Sequence, residues 1–472
     1  MEKGKRGIDN LYEMIKKADS GDPEAQWRVA WYIVWSGKNE PIEPDWLERA
    51  LDYFQRSAAQ GYGNAMLELG AMYSSGRGVA KDEAEAICWY EKAAGILHPK
   101  AFRCLGYSLG FHNFRDGGFA DYKTAFGYFF KGALLDEPNC IYEIGDMYYW
   151  GRYVDSDQKF AFKLYQESYE IIDGNIEDDS YANVCLRIGE CFYKGIGPER
   201  DLDLAREHLL EAMEGFELRV KRSDPPEFFI NDYDKAKRLL RELEAGGASE
   251  QPPASMTCQE ENDYIEFINS DMMKYPEPAY PIEELERLKS ENPLIEFDGY
   301  EPYNFNDKLA AAEAGDSTAM YHVAFYLFSH LVDESKSQSM MEFALFYYYK
   351  AIQCGCRYAT PDLGVIYDTG HRGVAVDKKK AYLLFLYAND SEGSNAIGVY
   401  YAEGGEVVTQ DYEKAFKCFA RSALEKEKGS LFNLGKMYHN GLFVDIDEKF
   451  ADHCKSLGEK VIERCGYYTF NV

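Results

Sequence analysis

Cysteine and histidine are the residues of this 472-residue chain whose chemistry suits metal binding or catalysis. The pair Cys354 and Cys356 could form half of a zinc site, but no second pair and no nearby histidine completes four ligands. Asp452, His453 and Cys454 are consecutive, so on a helix they point in different directions and cannot meet at one substrate atom. The sequence therefore predicts no metal, no cofactor and no hydrolytic triad.

Short glycine-containing stretches offer a second kind of chemistry, phosphate binding. The fragments GRG, GIG and HRG resemble parts of phosphate-binding loops, but none is followed by Gly-Lys-Ser or Gly-Lys-Thr. They recur instead between segments with helical periodicity, where glycine permits a tight reversal, as at Gly76, Gly78, Gly195 and Gly197. The sequence therefore gives little support to nucleotide binding.

The segments around these turns repeat along the chain. In each copy an aliphatic residue precedes a small residue, here called the anchor, and an apolar residue follows three positions later. Successive anchors within a block are about 34 to 44 residues apart, the range of helical-hairpin solenoids. We expect the anchor to be small because a second helix crosses the first there. The nine anchors are Ala30, Gly70, Gly106, Gly145, Gly189, Ala324, Gly364, Gly398 and Gly435.

A second helix is predicted to begin in most copies at the pattern Asp-x-x-x-Ala. Aspartate at this position can accept hydrogen bonds from free amides of the first turn, and its charge suits the positive end of the helix. A bulky residue follows four positions after the alanine in most copies, as in Phe54, Tyr90 and Phe129. The aspartates are Asp82, Asp121, Asp157, Asp201, Asp232, Asp377, Asp411 and Asp447.

These repeats resemble those of the Sel-one-like repeat proteins, relatives of the tetratricopeptide repeats. The resemblance is carried by LGAMYSSGRGVAKDEAEAICWYEKAA from Leu69, with echoes in LGVIYDTGHRGVAVDKKKAY from Leu363 and LGKMYHNGLFVDIDEKFA from Leu434. It implies an all-α fold, an α-α superhelix or solenoid of helix-turn-helix repeats. It also implies a scaffold that binds other proteins and carries out no chemistry of its own.

Two further expectations depend on the repeat frame. A cysteine-rich branch of the family links each hairpin by a disulfide, which requires cysteines at the same two positions of every copy. The cysteines here occupy differing positions, so we expect reduced, mostly buried thiols. His208 occupies a position where other copies carry Tyr53, Trp89 and Tyr347, so we expect a packed histidine and not a catalytic base.

The copies fall into two arms, because the half repeat before Ala25 recurs before Ala319. We expect an N-terminal arm over residues 1–245 and a C-terminal arm over residues 303–472. An acidic, proline-containing insert over residues 246–302 joins them and has 14 acidic residues against 3 basic ones. The composition of its first part predicts a flexible tether, whereas that of DYIEFINSDMM and IEELERLKS favours short helices.

A row of aromatic residues is the candidate binding site. Trp27, Trp31 and Trp35 are spaced four and four apart, so they lie along one stripe of a helix. Other copies place Lys, Glu and Asp at the positions of Trp31 and Trp35, which indicates that these positions line a groove. The alternative is that a terminal copy uses the stripe to pack against residues 1–20. The same face continues with Tyr107, Phe111, Tyr142 and Trp150.

The composition limits the kinds of partner. A formal charge of -29 disfavours nucleic-acid and anionic-membrane binding, and no apolar run is long enough to span a bilayer. The N-terminus lacks an apolar signal core, so we expect a cytoplasmic protein. The favoured interpretation is an adaptor that binds a protein or peptide in its groove. The alternatives are a cytoplasmic inhibitor or immunity-type protein masking a basic partner, and an enzyme that uses the insert.

Overall fold

The computed structural model describes residues 13–36, 44–110, 121–220, 227–245, 294–295, 303–329, 337–370 and 374–461. Contacts between Cα atoms divide the chain into two compact units, Met1–Pro252 and Pro253–Val472. The expected insert lies outside the described residues except for residues 294–295, and so do the short helices expected within it.

The first unit is a succession of helical hairpins. Residues 13–19 are helical and precede the first hairpin, as the half repeat predicts. Each first helix packs on the second helix of its own copy, and each second helix packs on the first helix of the next copy. The helices are α1 (Pro23–Trp31), α2 (Pro44–Ala59), α3 (Gly63–Ser75), α4 (Glu83–Ala94), α5 (Pro99–Leu105), α6 (Tyr122–Ala133), α7 (Pro138–Trp150), α8 (Gln158–Ile172), α9 (Tyr181–Lys194), α10 (Leu202–Val220) and α11 (Glu227–Glu244).

The second unit repeats this construction. A two-residue antiparallel pair, Leu294 opposite Asn304 and Ile295 opposite Tyr303, joins β1 (Leu294–Ile295) to β2 (Tyr303–Asn304) and is the only β structure among the described residues. The hairpins that follow confirm the all-α solenoid prediction. The helices are α12 (Phe305–Glu313), α13 (Ser317–Ser329), α14 (Ser337–Gln353), α15 (Ala359–Thr369), α16 (Lys378–Ala388), α17 (Ser391–Glu403), α18 (Tyr412–Leu424), α19 (Lys428–Asn440) and α20 (Glu448–Lys460).

The anchor glycines lie where the two helices of a hairpin come closest. A Cβ added at Gly70 would lie 2.3 Å from Cε1 of Tyr90, the bulky residue of the second helix in the same copy. The corresponding distance is 2.4 Å from Gly106 to Phe129 and 2.6 Å from Gly145 to Tyr165. Real Cβ atoms do not approach other carbons this closely, so the prediction that a second helix crosses the first at the anchor is confirmed.

The second helices begin at the predicted aspartates, with one exception. Asp82, Asp157 and Asp411 each accept a hydrogen bond from the amide three residues later, at 3.1, 3.0 and 3.0 Å. The prediction for Asp232 is wrong, because this residue lies inside α11. Its carboxylate accepts a hydrogen bond from Asn183 Nδ2 at 2.9 Å. Helix α11 packs on both α9 and α10, so it occupies the place of a further first helix and not of a second one.

Most first helices of complete copies end at a glycine in the left-handed conformation. Gly76 has φ of 72° and Gly195 has φ of 70°, values that most other residues reach only with strain. Copies one and three differ, because their first helices continue as π-helical turns, Tyr32–Ser36 and Gly106–Gly110. Trp35 lies within the first of these turns.

Candidate functional site

The candidate site is the face of the first helices that does not pack on the second helices, here called the first-helix face. In the first unit this face carries hydrogen bonds from one copy to the next. Trp35 Nε1 donates to Glu68 Oε2 at 2.7 Å, which links copies one and two. The Tyr107 hydroxyl donates to Glu143 Oε1 at 2.6 Å, which links copies three and four. Each carboxyl group stands two residues before its anchor.

Copies four and five are joined by an ion pair at the corresponding place. Arg187 donates from Nε and from a terminal nitrogen to the two oxygens of Asp146, at 2.8 Å each. The geometry is bidentate, which is the strongest arrangement for an arginine and a carboxylate. The guanidinium group is also 5.9 Å from the Tyr149 ring centroid and 5.8 Å from the Trp150 centroid. Arg187 therefore holds two neighbouring first helices together beneath an aromatic cover.

The buried carboxylate of Glu190 extends this ion pair into a network. It accepts hydrogen bonds from Arg187 at 3.2 Å, from Lys194 at 2.8 Å and from Lys235 of α11 at 2.6 Å. Burial by itself would raise the pKa of Glu190, but these three cations outweigh it and lower the pKa to about 2. Glu190 is therefore ionised at neutral pH.

Two other carboxyl groups of the first-helix face have raised pKa values, in contrast to Glu190. Burial raises the pKa of Glu68 to about 7, although its hydrogen bond from Trp35 acts to lower it. Burial also raises the pKa of Glu143 to about 7, and the charge of Asp146 adds to the effect. Neither side chain forms a salt bridge within the described residues. Both are therefore titratable groups near neutral pH.

The three tryptophans of the predicted stripe in copy one differ in their exposure to solvent. Trp31 is 43% exposed. Trp27 is half-buried, its ring centroid is 5.7 Å from that of Tyr62, and its Nε1 is buried without a hydrogen-bond partner in the described part of the chain. Trp35 is half-buried, bonded to Glu68, and covered by the Arg77 guanidinium at 4.8 Å from its ring centroid. Trp31 is thus the member of the stripe with most free surface.

The remaining predicted site residues are also unequal in exposure. Trp150 is 49% exposed, whereas Tyr142 is only 8% exposed. Tyr107 is half-buried and donates to Asn139 Oδ1 at 2.8 Å in addition to its contact with Glu143. Phe111 lies outside the described residues. The structure therefore leaves Trp31 and Trp150 as the accessible aromatic side chains of the predicted set.

The sequence argument for an open groove needs a correction. It held that a position accepting Lys, Glu and Asp is not part of the core. Asp146 and Glu190 stand one residue after their anchors, and they are 8% and 2% exposed. Their charges are tolerated because Arg187 and Lys235 reach them from neighbouring helices. A charged residue at this position is therefore no proof of solvent exposure in a central copy.

Sequence reasoning also missed the residues that form this network. Asp146, Arg187, Glu190 and Lys235 were not assigned a role. A usable signal exists, because Arg187 stands two residues before its anchor while Asp146 stands one residue after the preceding anchor. Opposite charges at these two positions of adjacent copies would have predicted a link between them.

The second unit has similar links on its first helices. The Tyr321 hydroxyl donates to Asp362 at 3.1 Å, and Asn433 Nδ2 donates to Asn395 Oδ1 at 2.8 Å. Asp362 stands two residues before its anchor, as Glu68 and Glu143 do. Burial raises the pKa of Asp362 to about 7. Carboxyl groups bonded by an aromatic donor of the preceding copy therefore recur in both units.

The residues first considered for catalysis are packed or dispersed. His208 lies 3.0 Å from Glu211, and its ring packs at 5.9 Å from the Phe192 centroid, which confirms the packed histidine. Asp452 is exposed whereas Cys454 is buried, so the two side chains lie on different faces of α20. Cys354 is exposed and Cys356 is buried. No cluster of three or more potential metal ligands is present among the described residues.

With this geometry established, comparison with known proteins identifies the repeats. The Sel1 repeat family matches the chain at residues 23–62, 63–95, 105–137, 138–170, 182–214, 317–356, 362–392, 391–426 and 429–451. The chain belongs to the Sel1 repeat family. The nine segments contain the nine anchors one by one, so the predicted repeat frame is confirmed. Proteins of this family generally mediate protein–protein interactions and are typically non-catalytic.

Several solved structures are also similar to this chain. A protective antigen of uropathogenic Escherichia coli is 23% identical over 95% of this chain and 79% of its own, with a TM-score of 0.38. A Sel1 repeat protein from Oxalobacter formigenes is 24% identical, covering 50% of this chain and 96% of its own, with a TM-score of 0.35. An immunity protein from Pseudomonas aeruginosa is 18% identical, covering 48% and 84%, with a TM-score of 0.31.

Hydrophobicity places a further constraint on the described helices. None of them combines the length and the apolar character that crossing a membrane requires.

Proposed function

We propose that this Sel1 repeat protein is a cytoplasmic, non-enzymatic adaptor. It binds a protein or peptide partner on the first-helix face of its first unit. Trp31 and Trp150 are the proposed contact residues. Exposed tryptophans supply a large contact area at small entropic cost, and such residues dominate the energy of many protein interfaces.

The observation that carries this proposal is the exposure of Trp150. Its side chain is 49% exposed although it stands at the end of α7, where Tyr148 and Tyr149 are buried. Tyr149 packs edge-to-face against the Trp150 ring, with 4.7 Å between the two ring centroids. A rigid, exposed aromatic ring on a packed helix is the kind of residue that a partner can cover without first ordering it.

Tyr107, Tyr142, Trp27 and Trp35 have a supporting role in this proposal. Their side chains are engaged in hydrogen bonds or aromatic packing that orders the first helices. They stabilise the surface on which the exposed rings stand. Removing one of them would weaken binding indirectly, through damage to the fold.

The test is partner capture with variants of the two exposed tryptophans. The tagged chain and its Trp31→Ala/Trp150→Ala variant would be used to capture proteins from the native host, followed by mass spectrometry. We expect at least one protein to be captured by the parent chain and lost from the variant. Tyr358→Ala is the matched control, because Tyr358 is an exposed aromatic residue, 59% accessible, in the second unit.

Stability must be measured on the same variants. Because both tryptophans are about half exposed, their replacement should change the free energy of unfolding by about 1 kcal/mol or less each. Buried aromatic residues would cost about 3 to 5 kcal/mol. A set of captured proteins that is identical for the parent and the double variant, with both folded, would contradict the proposed contact residues.

The net charge favours a second candidate function. With 81 acidic against 52 basic residues, the chain could mask a basic protein as a cytoplasmic inhibitor or immunity-type protein. Complex formation would then weaken steeply as salt rises, whereas contact through exposed tryptophans would change little. Measuring the affinity for the captured protein at low and high salt distinguishes the two functions.

A further inference from the structure

An arginine next to the exposed Trp150 has an unusual environment. Arg152 is exposed, and its guanidinium group lies 5.9 Å from the Trp150 ring centroid and 5.4 Å from the Tyr122 centroid. Two aromatic rings therefore restrict this long side chain by cation–π contact. No carboxylate lies within salt-bridge distance of Arg152 among the described residues. Its charge acts to lower the pKa of the buried Glu143 from beyond salt-bridge distance, and the two rings hold its guanidinium group in place.

Other arginines of the first unit show that this is not the usual arrangement. In a chain with 81 acidic residues, an arginine commonly finds a carboxylate. Arg28 pairs with Glu24 at 2.6 Å, and Arg103 pairs with Asp179 at 3.1 Å. Arg152 is therefore a preorganised cation with hydrogen-bond donors available to a ligand. Arg77, which lies over Trp35, likewise forms no salt bridge within the described residues.

The surroundings of Trp150 are more basic than the rest of the protein. The Arg187 guanidinium lies on the same ring, and Lys194 occupies in the next copy the position that Trp150 occupies in its own. The neighbouring carboxylates of Asp146 and Glu190 are already bound by Arg187, Lys194 and Lys235. Burial raises the pKa of Glu143 to about 7, so that this group contributes less negative charge than an ordinary glutamate. The charges named here therefore come close to balance, in contrast to the chain as a whole with its charge of -29.

We propose that Trp150 and Arg152 form a docking site for a segment of a protein partner that carries an acidic side chain next to an apolar one. The apolar side chain would cover the exposed face of the Trp150 ring. The carboxylate would accept hydrogen bonds from Arg152. This inference rests on the proposed adaptor function and specifies the chemistry of the segment that the adaptor binds.

Charge complementarity distinguishes this occupant from others. A basic segment would meet the exposed Arg152 guanidinium and would be repelled by it. A nucleic acid would find a few cations but no extended basic surface, since the chain as a whole repels phosphate. At physiological ionic strength the screening length is about 8 Å, so the charges at the site matter more to an acidic segment than the net charge does.

The test uses defined peptides and the full-length chain. The first probe is a fluorescent peptide, acetylated and amidated at its ends, that alternates glutamate with phenylalanine and leucine. In a second peptide glutamine replaces each glutamate, and in a third lysine does so. Capped ends restrict recognition to side-chain carboxylates. Fluorescence anisotropy is recorded up to about 1 mM protein, because a single charged and a single apolar contact give weak binding.

We expect the glutamate peptide to bind more tightly than the glutamine and lysine peptides. Trp150→Ala should weaken its binding about thirtyfold, the effect of losing a central aromatic contact. Arg152→Gln should weaken it about fivefold, and Arg152→Lys less, because lysine keeps the charge but not the planar donor geometry. Arg77→Gln is the matched control, since Arg77 also lies over a tryptophan, but over the half-buried Trp35.

Three results would overturn the inference. In the first, Arg152→Gln leaves the binding of the glutamate peptide unchanged, or that peptide does not bind. In the second, the glutamine peptide binds as tightly as the glutamate peptide. In the third, the lysine peptide binds more tightly than the glutamate peptide. The last would instead support the masking of a basic partner. If Trp150→Ala abolishes capture of the native partner while Arg152→Glu does not, the adaptor proposal stands and only the acidic segment is wrong. If neither change affects capture, both proposals fail.

Discussion

Replacement of an anchor glycine tests the central packing feature of this fold. At Gly70 an added Cβ would lie 2.3, 2.6 and 2.8 Å from three carbons of the Tyr90 ring. The ring is buried, and it belongs to the neighbouring helix α4, so it cannot move away without disturbing the hairpin. We expect Gly70→Ala to introduce overpacking strain of about 1 to 3 kcal/mol.

A second glycine provides the control for the helix-forming effect of alanine. Gly127 lies inside α6, and an added Cβ there would have no neighbour within 4 Å. Gly127→Ala should therefore stabilise the protein by about 0.5 to 1 kcal/mol, through helix propensity alone. Gly70→Ala has the same stabilising effect on helix propensity, but the overpacking strain offsets it. The two variants should consequently differ in free energy of unfolding by about 1 to 3 kcal/mol, with Gly70→Ala the less stable.

Solenoids can unfold in parts, so a local measurement must accompany the global one. Urea unfolding followed by circular dichroism gives the overall stability. Hydrogen exchange with mass spectrometry reports on α3 and α4 separately, and we expect faster exchange there in Gly70→Ala only. Replacing the ring in Gly70→Ala/Tyr90→Leu should recover part of the loss, because the equivalent Leu209 lies 2.9 Å from a Cβ added at Gly189, against 2.3 Å for Tyr90 at Gly70. Equal stabilisation by Gly70→Ala and Gly127→Ala would refute the close-packing argument.

Two further predictions concern titration and redox state. The raised pKa of Glu143 means that its contribution to stability is present at low pH and is lost as pH rises through about 7. The stability of the parent chain relative to Glu143→Gln should therefore fall as pH rises from 4.5 to about 7, by up to about 1.4 kcal/mol per pH unit, and level off above that. Urea unfolding at several pH values measures this difference. A constant difference would show that Glu143 titrates normally. All nine cysteines in the described residues are free thiols, so titration of the denatured, anaerobically purified chain should find nearly all eleven reduced. A regular set of protected pairs would contradict this expectation.

The repeat frame could be predicted from the sequence because its causes are local. An anchor glycine and the bulky residue that packs on it belong to one hairpin, and the aspartate cap contacts an amide three residues away. Such contacts have fixed sequence separations, so their pattern recurs in every copy. For this reason the sequence alone determined the helices, the anchors, most of the caps and the family.

The failure at Asp232 shows where local reasoning ends. Its Asp-x-x-x-Ala pattern is the same as at Asp82, yet it lies within α11 because that helix begins upstream and packs beside α9. The carboxylate of Asp232 accepts its hydrogen bond from the Asn183 side chain and not from a backbone amide of its own helix. The position of a helix in the stack, which no short pattern contains, decided the role of this residue.

The candidate site depended still more on tertiary structure. A sequence shows Asp146 and Glu190 as charges on a helix, but their burial depends on Arg187 and Lys235 arriving from neighbouring helices. Arg152, in contrast, contacts two aromatic rings and forms no salt bridge in the part of the chain that the structure describes. Charges interact over distances comparable to the spacing between helices, and their partners are set by side-chain reach across copies. The sequence therefore determined which hairpins form, and only the stacking of those hairpins decided which charges and aromatic rings remain available to a partner.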